Sequence, residues 1–269
     1  MCISIICSLK DRASANMADS IIKEYGLEER GNGVFSYPDE SIKLHLIEEF
    51  PWAYEGADSI ASDLIFFLSQ HSSKENIPAL TTHSMGNWND ENKFGGRPNQ
   101  LSAPAPAPML SSLRHLGVVQ TGIKETYEAT HHGPLLNTPA LFMEMGGDES
   151  TIENKELAGR VGKAAFESIL EIIDKEVDYS KVALGIGGGH YPSKFSALAT
   201  GRGYAFSYIM PKYAVRRADG RVNLEMLDQA IMKSKDLDLA VIEWKGLDAA
   251  TRNEVLKSLE EHGIEYERA

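Results

Sequence analysis

The segment Val182-Ala183-Leu184-Gly185-Ile186-Gly187-Gly188-Gly189-His190-Tyr191-Pro192 sets the architecture. Its first five residues form a short apolar run bounded by glycine, the pattern of a strand covered on both faces. The glycines allow a tight turn in which backbone approaches a ligand closely. Pro192 suits the first turn of a helix over residues 193–200. That helix start presents free N–H groups and a positive dipole end, with Lys194 nearby, so a terminal phosphate or a carbonyl oxygen fits there. The glycines match neither nucleotide-loop pattern. His190 replaces the third glycine of G-x-G-x-x-G, and no Gly-Lys-Ser/Thr follows, which excludes a dinucleotide or P-loop site. A plain strand–helix turn built of small residues is the structural alternative.

Working outward, the same alternation recurs. Residues 3–8, 42–47, 63–69, 77–82, 138–145 and 239–244 read as strands. Residues 13–25, 152–176, 224–233 and 249–262 read as helices. This order predicts a three-layer α/β/α sandwich around a mixed, largely parallel sheet. In such sheets ligands sit beyond the carboxyl ends of the strands, where His83 and His190 fall. Residues 84–109 are polar and rich in Gly, Asn and Pro. They end in Ser102-Ala103-Pro104-Ala105-Pro106-Ala107-Pro108, which is expected to be extended. No composition break divides the 269 residues, so one domain over residues 1–269 is expected.

No apolar run is long enough to span a bilayer, and no membrane partner is expected. The apolar residues 3–8 follow no basic segment and read as a buried strand, not a signal peptide. Cys2 and Cys7, the only cysteines, have an odd separation on that strand and read as two reduced thiols. The net charge of −12 argues against broad nucleic-acid binding, and no DNA partner is expected. Residues 191–221 depart from that average. They hold Lys194, Arg202, Lys212, Arg216, Arg217 and Arg221 against Asp219 alone, enough for a local phosphate contact or simply a solvated loop.

Of the eight histidines, His83, His131, His132 and His190 sit beside glycine or proline, and His115 is a weaker candidate. Thr82-His83-Ser84 with Gly86-Asn87 is a strand-to-loop junction. His83 there can bind a metal or activate water, and Asn87 can hold a substrate carbonyl. Glu125–His132 reads as extended. Alternation places Glu128, Thr130 and His132 on one face and Tyr127 and His131 on the other. A carboxylate, a hydroxyl and an imidazole on one face suit a metal ligand or general base with an orienting carboxylate. His83, His132 and His190, with Glu128 or Glu144, provide a three-ligand zinc site with one open position. No HxH or HExxH spacing accompanies them, and imidazole catalysis without metal is the alternative.

Thr82-His83-Ser84 with Gly86-Asn87, Gly95-Gly96-Arg97-Pro98, Glu128-Ala129-Thr130-His131-His132-Gly133-Pro134, Phe142-Met143-Glu144 and Gly187-Gly188-Gly189-His190-Tyr191 together resemble the archaeal and plant type of D-aminoacyl-tRNA deacylase. The resemblance implies a sandwich similar to peptidyl-tRNA hydrolase and phosphorylase-like folds. It implies hydrolysis of the ester between a D-amino acid and the terminal ribose of tRNA, zinc dependence, a cytoplasmic location and a monomer or weak homodimer. His83, His132, Glu128 and His190 are then the catalytic candidates. His131, Thr130, Asn87 and the Gly188 and Gly189 amides hold substrate, and Lys194, Arg202, Arg216 and Arg217 meet acceptor-stem phosphates. The competing readings are a peptidyl-tRNA hydrolase, a zinc amidohydrolase on another acyl substrate, or an RNA-binding protein without catalysis.

Overall fold

The computed structural model describes residues 1–71, 76–119 and 122–269. Its first strand, β1 (Ile3–Ser8), is buried along its whole length. It leads into α1 (Arg12–Tyr25), where the Asp11 side chain accepts from Ser14 N and Gly26 closes the far end. A hairpin, β2 (Glu28–Gly31) with β3 (Val34–Ser36), then precedes β4 (Ile42–Ile47), and β5 (Leu64–His71) follows two short 3-10 turns. Next come β6 (Ala79–His83), β7 (Gly86–Asn87), β8 (Gln100–Leu101), α2 (Pro106–Gly117), β9 (Lys124–Tyr127) and β10 (Ala140–Gly146). The eight-stranded sheet has the order β2-β3-β4-β1-β5-β10-β6-β9. Its centre is parallel, whereas β3 runs against β4 and β6 against β10. The sheet is therefore mixed, as the alternation predicts.

α3 (Glu149–Ile152) and α4 (Lys155–Asp174) replace the single helix expected over 152–176. Asn154 breaks it: its side chain accepts from Leu157 N and caps α4, a substitution for the missing intrahelical bond worth about 1 kcal/mol. α1 and α4 lay Met17, Ile21, Leu157, Val161 and Ala165 against the face of the sheet bearing Ile3, Ile5, Phe66 and Leu141.

A second, four-stranded sheet has the order β12-β11-β13-β14 and is parallel throughout. It comprises β11 (Lys181–Ile186), β12 (Tyr204–Met210), β13 (Leu239–Ile242) and β14 (Glu265–Arg268), with α5 (Ser193–Arg202), α6 (Leu224–Lys233) and α7 (Ala249–Glu261) between them. α2 and α5 cover one face through Leu110, Leu113, Phe195 and Ala199. α6 and α7 cover the other through Met226, Leu227, Val255 and Leu259. Helix α2 corrects the expectation of an extended proline tail. Pro106 opens the helix, a position where its missing N–H costs nothing, and Pro108 follows inside the first turn.

Residues 128–130 stitch the two sheets together. Glu128 N donates to Thr82 O at 3.1 Å, Ala129 N to His190 O at 2.8 Å and Thr130 N to Ile209 O at 3.0 Å. Among the described residues no helix is long and apolar enough to cross a membrane.

Candidate active site

Three neighbouring strands of the large sheet present one functional face. The pairing sets Phe67 beside Phe142 and Phe142 beside His83, and one step along it sets Ser69 beside Glu144 and Glu144 beside Thr81. Because side chains two residues apart share a face, Phe142 and Glu144 point the same way as His83 and His71. The first row is flat: Phe67 stacks on Phe142 at 4.8 Å and Phe142 on His83 at 5.2 Å, with interplanar angles of 11° and 7°. This apolar base fixes the His83 ring. The second row carries the charge.

His83 does not reach the site from a shared carboxyl end of the strands, as expected. β6 is antiparallel to β10, so its end lies level with Phe142, and the imidazole reaches Glu144 across the sheet face. The strand expected to run from Glu125 to His132 also stops early, at Tyr127. The chain must turn there to cross from one sheet to the other. The alternation is lost, and Glu128 and His131 meet instead of facing apart, with Oε2 and Nε2 3.6 Å apart.

The result is a compact cluster at the seam. His190 Nε2 lies 2.9 Å from Glu128 Oε2, and His71 Nδ1 lies 3.2 Å from Glu128 Oε1 and 3.3 Å from Glu144 Oε2. His83 Nε2 is 3.6 Å from Glu144 Oε2. Ser69 donates its hydroxyl to Glu144 Oε1. A cavity of about 370 Å³ runs over this cluster, lined by His71, His131, His132, Glu144 and His190 together with Asp11, Ser69, Gln70 and three aromatic rings.

Burial of both carboxylates opposes their charge, but the neighbouring imidazoles win. The His71 and His83 imidazoles beside it hold Glu144 well below the usual range, and His190 lowers Glu128. Burial likewise opposes a charged His71, yet Glu144 and Glu128 raise it to about 9. The doubly protonated ring donates from Nδ1 to Glu144 and from Nε2 to the Tyr191 hydroxyl at 2.6 Å. His132 goes the other way: burial and then His83 lower it to about 4. Burial, and then His83, His132 and His190, push His131 well below its ordinary value.

His83 differs from its two neighbours: burial opposes its charge but Glu144 and Glu128 raise it, whereas His131 and His132 are held neutral. His83 Nδ1 lies 3.1 Å from Ser84 O, His131 Nδ1 2.8 Å from Ala129 O and His132 Nδ1 2.6 Å from Gly133 O. A carbonyl accepts only from N–H, so Nδ1 of all three rings carries a hydrogen, and on neutral His131 and His132 Nε2 keeps a lone pair. Ligand atoms of His83, His131 and His132 lie within 4.8 Å of one another, as do those of His71, Glu128 and His190, and those of His83, Glu128 and Glu144. Among the described residues His83 Nε2 is buried with no hydrogen-bond partner. Two lone-pair nitrogens beside that buried ring nitrogen suit a divalent cation of the zinc type, which would take the place of a proton on His83. The expected trio of His83, His132 and His190 is not one of these sets. His131 completes the first, and Glu128 draws His190 into the second.

A family model described as D-aminoacyl-tRNA deacylase matches residues 58–267. The protein of that name from Pyrococcus furiosus is 34% identical, covering 95% of this chain and 96% of its own length. That from Methanocaldococcus jannaschii is 34% identical, covering 98% of each. The chain belongs to the D-aminoacyl-tRNA deacylase family. A solved structure described as a conserved protein of unknown function matches with a TM-score of 0.88 at 26% identity, covering 99% of this chain and 95% of that one.

In this member of the D-aminoacyl-tRNA deacylase family, His83, His131, His132, Glu128 and His190 converge, and Glu144 joins them. His71, Ser69 and Tyr191 were missed. Thr130 is buried, and its hydroxyl bonds Ser84 Oγ at 2.7 Å and accepts from Ile209 N at 3.0 Å, which commits it to the seam. Asn87 donates to the Gly95 carbonyl at 2.9 Å and ties down the following loop. Gly188 has φ +83°, a conformation that strains any L side chain, and a Cβ there would also displace the Glu243 carboxylate 2.8 Å away. The basic residues have acidic partners: Lys194 pairs with Glu243, Arg202 with Glu267, Arg216 with Asp248 and Arg217 with Glu225. His115 pairs with Glu171, away from the cluster.

Proposed function

We propose that this chain hydrolyses the ester joining a D-amino acid to the 3′-terminal ribose of tRNA, with D-tyrosyl-tRNA in the substrate range. Free D-amino acid and tRNA leave, so the mischarged tRNA is kept from the ribosome, and the work is done in the cytoplasm. The observation that carries this reading is one cavity lined by His71, His131, His132, His190 and Glu144, with His83 and Glu128 buried against that cluster, in a chain of this family.

His83, His131 and His132 are the residues suited to hold a zinc ion, with Glu128, His71 and His190 as the adjoining set. Bound there, zinc would supply Lewis acidity toward the ester carbonyl and acidify water toward neutral pKa. The chain's own groups do the rest. His190 stands at the cavity wall with its side chain 34% exposed, and its Nε2 lies 2.9 Å from Glu128 Oε2. That leaves its Nδ1 lone pair to take the proton of the attacking water and to return it to the departing ribose oxygen. Glu128 orients the ring and balances the charge it gains. The Gly188 and Gly189 amides flank the ester on the same turn. Protonated His71 contacts both Glu128 and Glu144 and offsets the repulsion between them, so both stay ionised.

An aminoacyl ester is already activated, so positioning and one proton transfer suffice. The test is deacylation of D-Tyr-tRNA, L-Tyr-tRNA and an N-acetylaminoacyl-tRNA by the purified protein, before and after chelation with zinc add-back. Selective loss of the D-ester, abolished by chelator and restored by zinc, is expected. Equal turnover of the L-ester overturns the reading. Glu128→Gln keeps the shape but removes the charge facing His190, and should lower kcat by about 100-fold with KM little changed.

A further inference from the structure

Three aromatic rings rim the cavity and take no part in the chemistry above. Phe50, Trp52 and Phe94 line it beside His131, His132 and His190. Phe50 stacks on Trp52 at 5.5 Å, and Phe94 meets Trp52 edge-on at 5.6 Å. Phe94 is 59% exposed and Phe50 41%. Leaving a phenyl ring in water is unfavourable, yet the backbone holds this one there. Phe94 O accepts from Gly133 N at 2.8 Å, immediately after His132. At Gly95, with φ +70°, a Cβ would stand 1.9 Å from the Trp52 carbonyl oxygen. The Phe94 loop is thus clamped between the 51–53 turn and the histidine segment. A fixed backbone presenting an unburied ring at a cavity mouth has the form of a stacking platform.

We propose that Phe94, backed edge-on by Trp52, is the surface on which the terminal adenine of the tRNA acceptor end stacks. This rests on the reading of the site as an aminoacyl-ester hydrolase. In such an ester the base is one ribose away from the scissile bond, so it lies at the mouth when the carbonyl lies at the histidines. The direction follows from charge. Asp11 and Glu144 line the same cavity against one cation, protonated His71, and this net negative, buried wall suits the α-ammonium of the aminoacyl group and sends the acyl end inward. The nucleoside is left at the aromatic rim. Beyond it, Phe94, His131 and His132 also wall a hollow of about 200 Å³ with Lys93 and the exposed Tyr213, which offers the preceding nucleotides a cation and a further ring.

Two measurements decide the proposal. The protein as purified, with Phe94→Ala and Phe94→Trp beside it, is titrated calorimetrically with the trinucleotide CpCpA. Affinity is expected to fall about tenfold in Phe94→Ala and to return in Phe94→Trp. The ratio of kcat/KM for D-tyrosyl-adenosine to that for D-tyrosine methyl ester should fall by a similar factor in Phe94→Ala. Unchanged trinucleotide affinity with an unchanged ratio overturns the proposal. So does a Phe94→Ala variant whose ranking shifts among D-amino-acid side chains instead of among alcohols, because the ring would then face the acyl group. If the parent protein cleaves neither ester, the hydrolase reading fails, and the trinucleotide titration still decides whether Phe94 holds the base.

Discussion

His71 carries a charge that its surroundings impose. It is buried, which alone would keep the ring neutral, and two carboxylates override this and raise it from 6.5 to about 9. A folded-state value above the unfolded one contributes stability that is complete below pH 6.5 and is lost as pH rises through about 9. The contribution is about 3 kcal/mol, as a ceiling for one buried group. Urea denaturation of chelator-treated protein between pH 6 and 9.5 should show the parent losing most of this relative to His71→Gln; parallel curves would refute it. His71 was not legible in the sequence. It ends an apolar strand without an adjacent glycine or proline, and its partners Glu128, Glu144 and Tyr191 become neighbours only when strands pair. The other four histidines were legible because each sits in a turn motif, and turns are where α/β folds place ligand-binding groups.

Among the elements, the 128–130 crossing segment does the most with the fewest residues. Thr130 gives its N–H to Ile209 O and receives Ile209 N at its hydroxyl, so one residue closes two bonds to β12. Thr130→Val keeps the shape but leaves a buried amide and Ser84 Oγ without that partner, at a cost of about 2 kcal/mol. Thermal unfolding should show the loss in Val and its recovery in Thr130→Ser. The same loosening should lower kcat more than it raises KM, since His131 and His132 follow directly. Loss of stability equal in both variants would mean the hydroxyl bonds carry nothing. Strands β1 and β11 were readable because buried parallel strands are continuous apolar runs, and β4 because its apolar and polar residues alternate. β9 was read too long, since Thr-rich and His-rich residues favour extension wherever they go next. β12 escaped notice despite its Tyr, Phe and Ile content, being hidden between a helix and a basic loop.

For the whole molecule, charge bookkeeping limits how tRNA is held. The net charge is −12, and Lys194, Arg202, Arg216, Arg217 and Arg221 each pair with an acid of the same chain. A protein that neutralises 6–10 phosphates loses about 10³–10⁵ in affinity between 50 and 200 mM salt. Here KM for charged tRNA should rise less than about tenfold over that range, measured by initial deacylation rates. A steep rise would mean the paired arginines abandon their partners for phosphates. The overall architecture was legible as mixed α/β from the alternation of short apolar runs and amphipathic helices. Its division into two sheets was not, because no change of composition marks the seam.

That seam has a consequence for a chain leaving the ribosome. His71, His83, Glu128 and Glu144 emerge early, but His190 follows β11, and Thr130 waits for Ile209 on β12. A growing polypeptide that stops short of the second sheet can pair β5, β10 and β6 and so set His71, Glu144 and His83, but it lacks His190 and the bonds that hold residues 128–130. Competence therefore waits for β11 and β12, however early the first half of the cluster is in place.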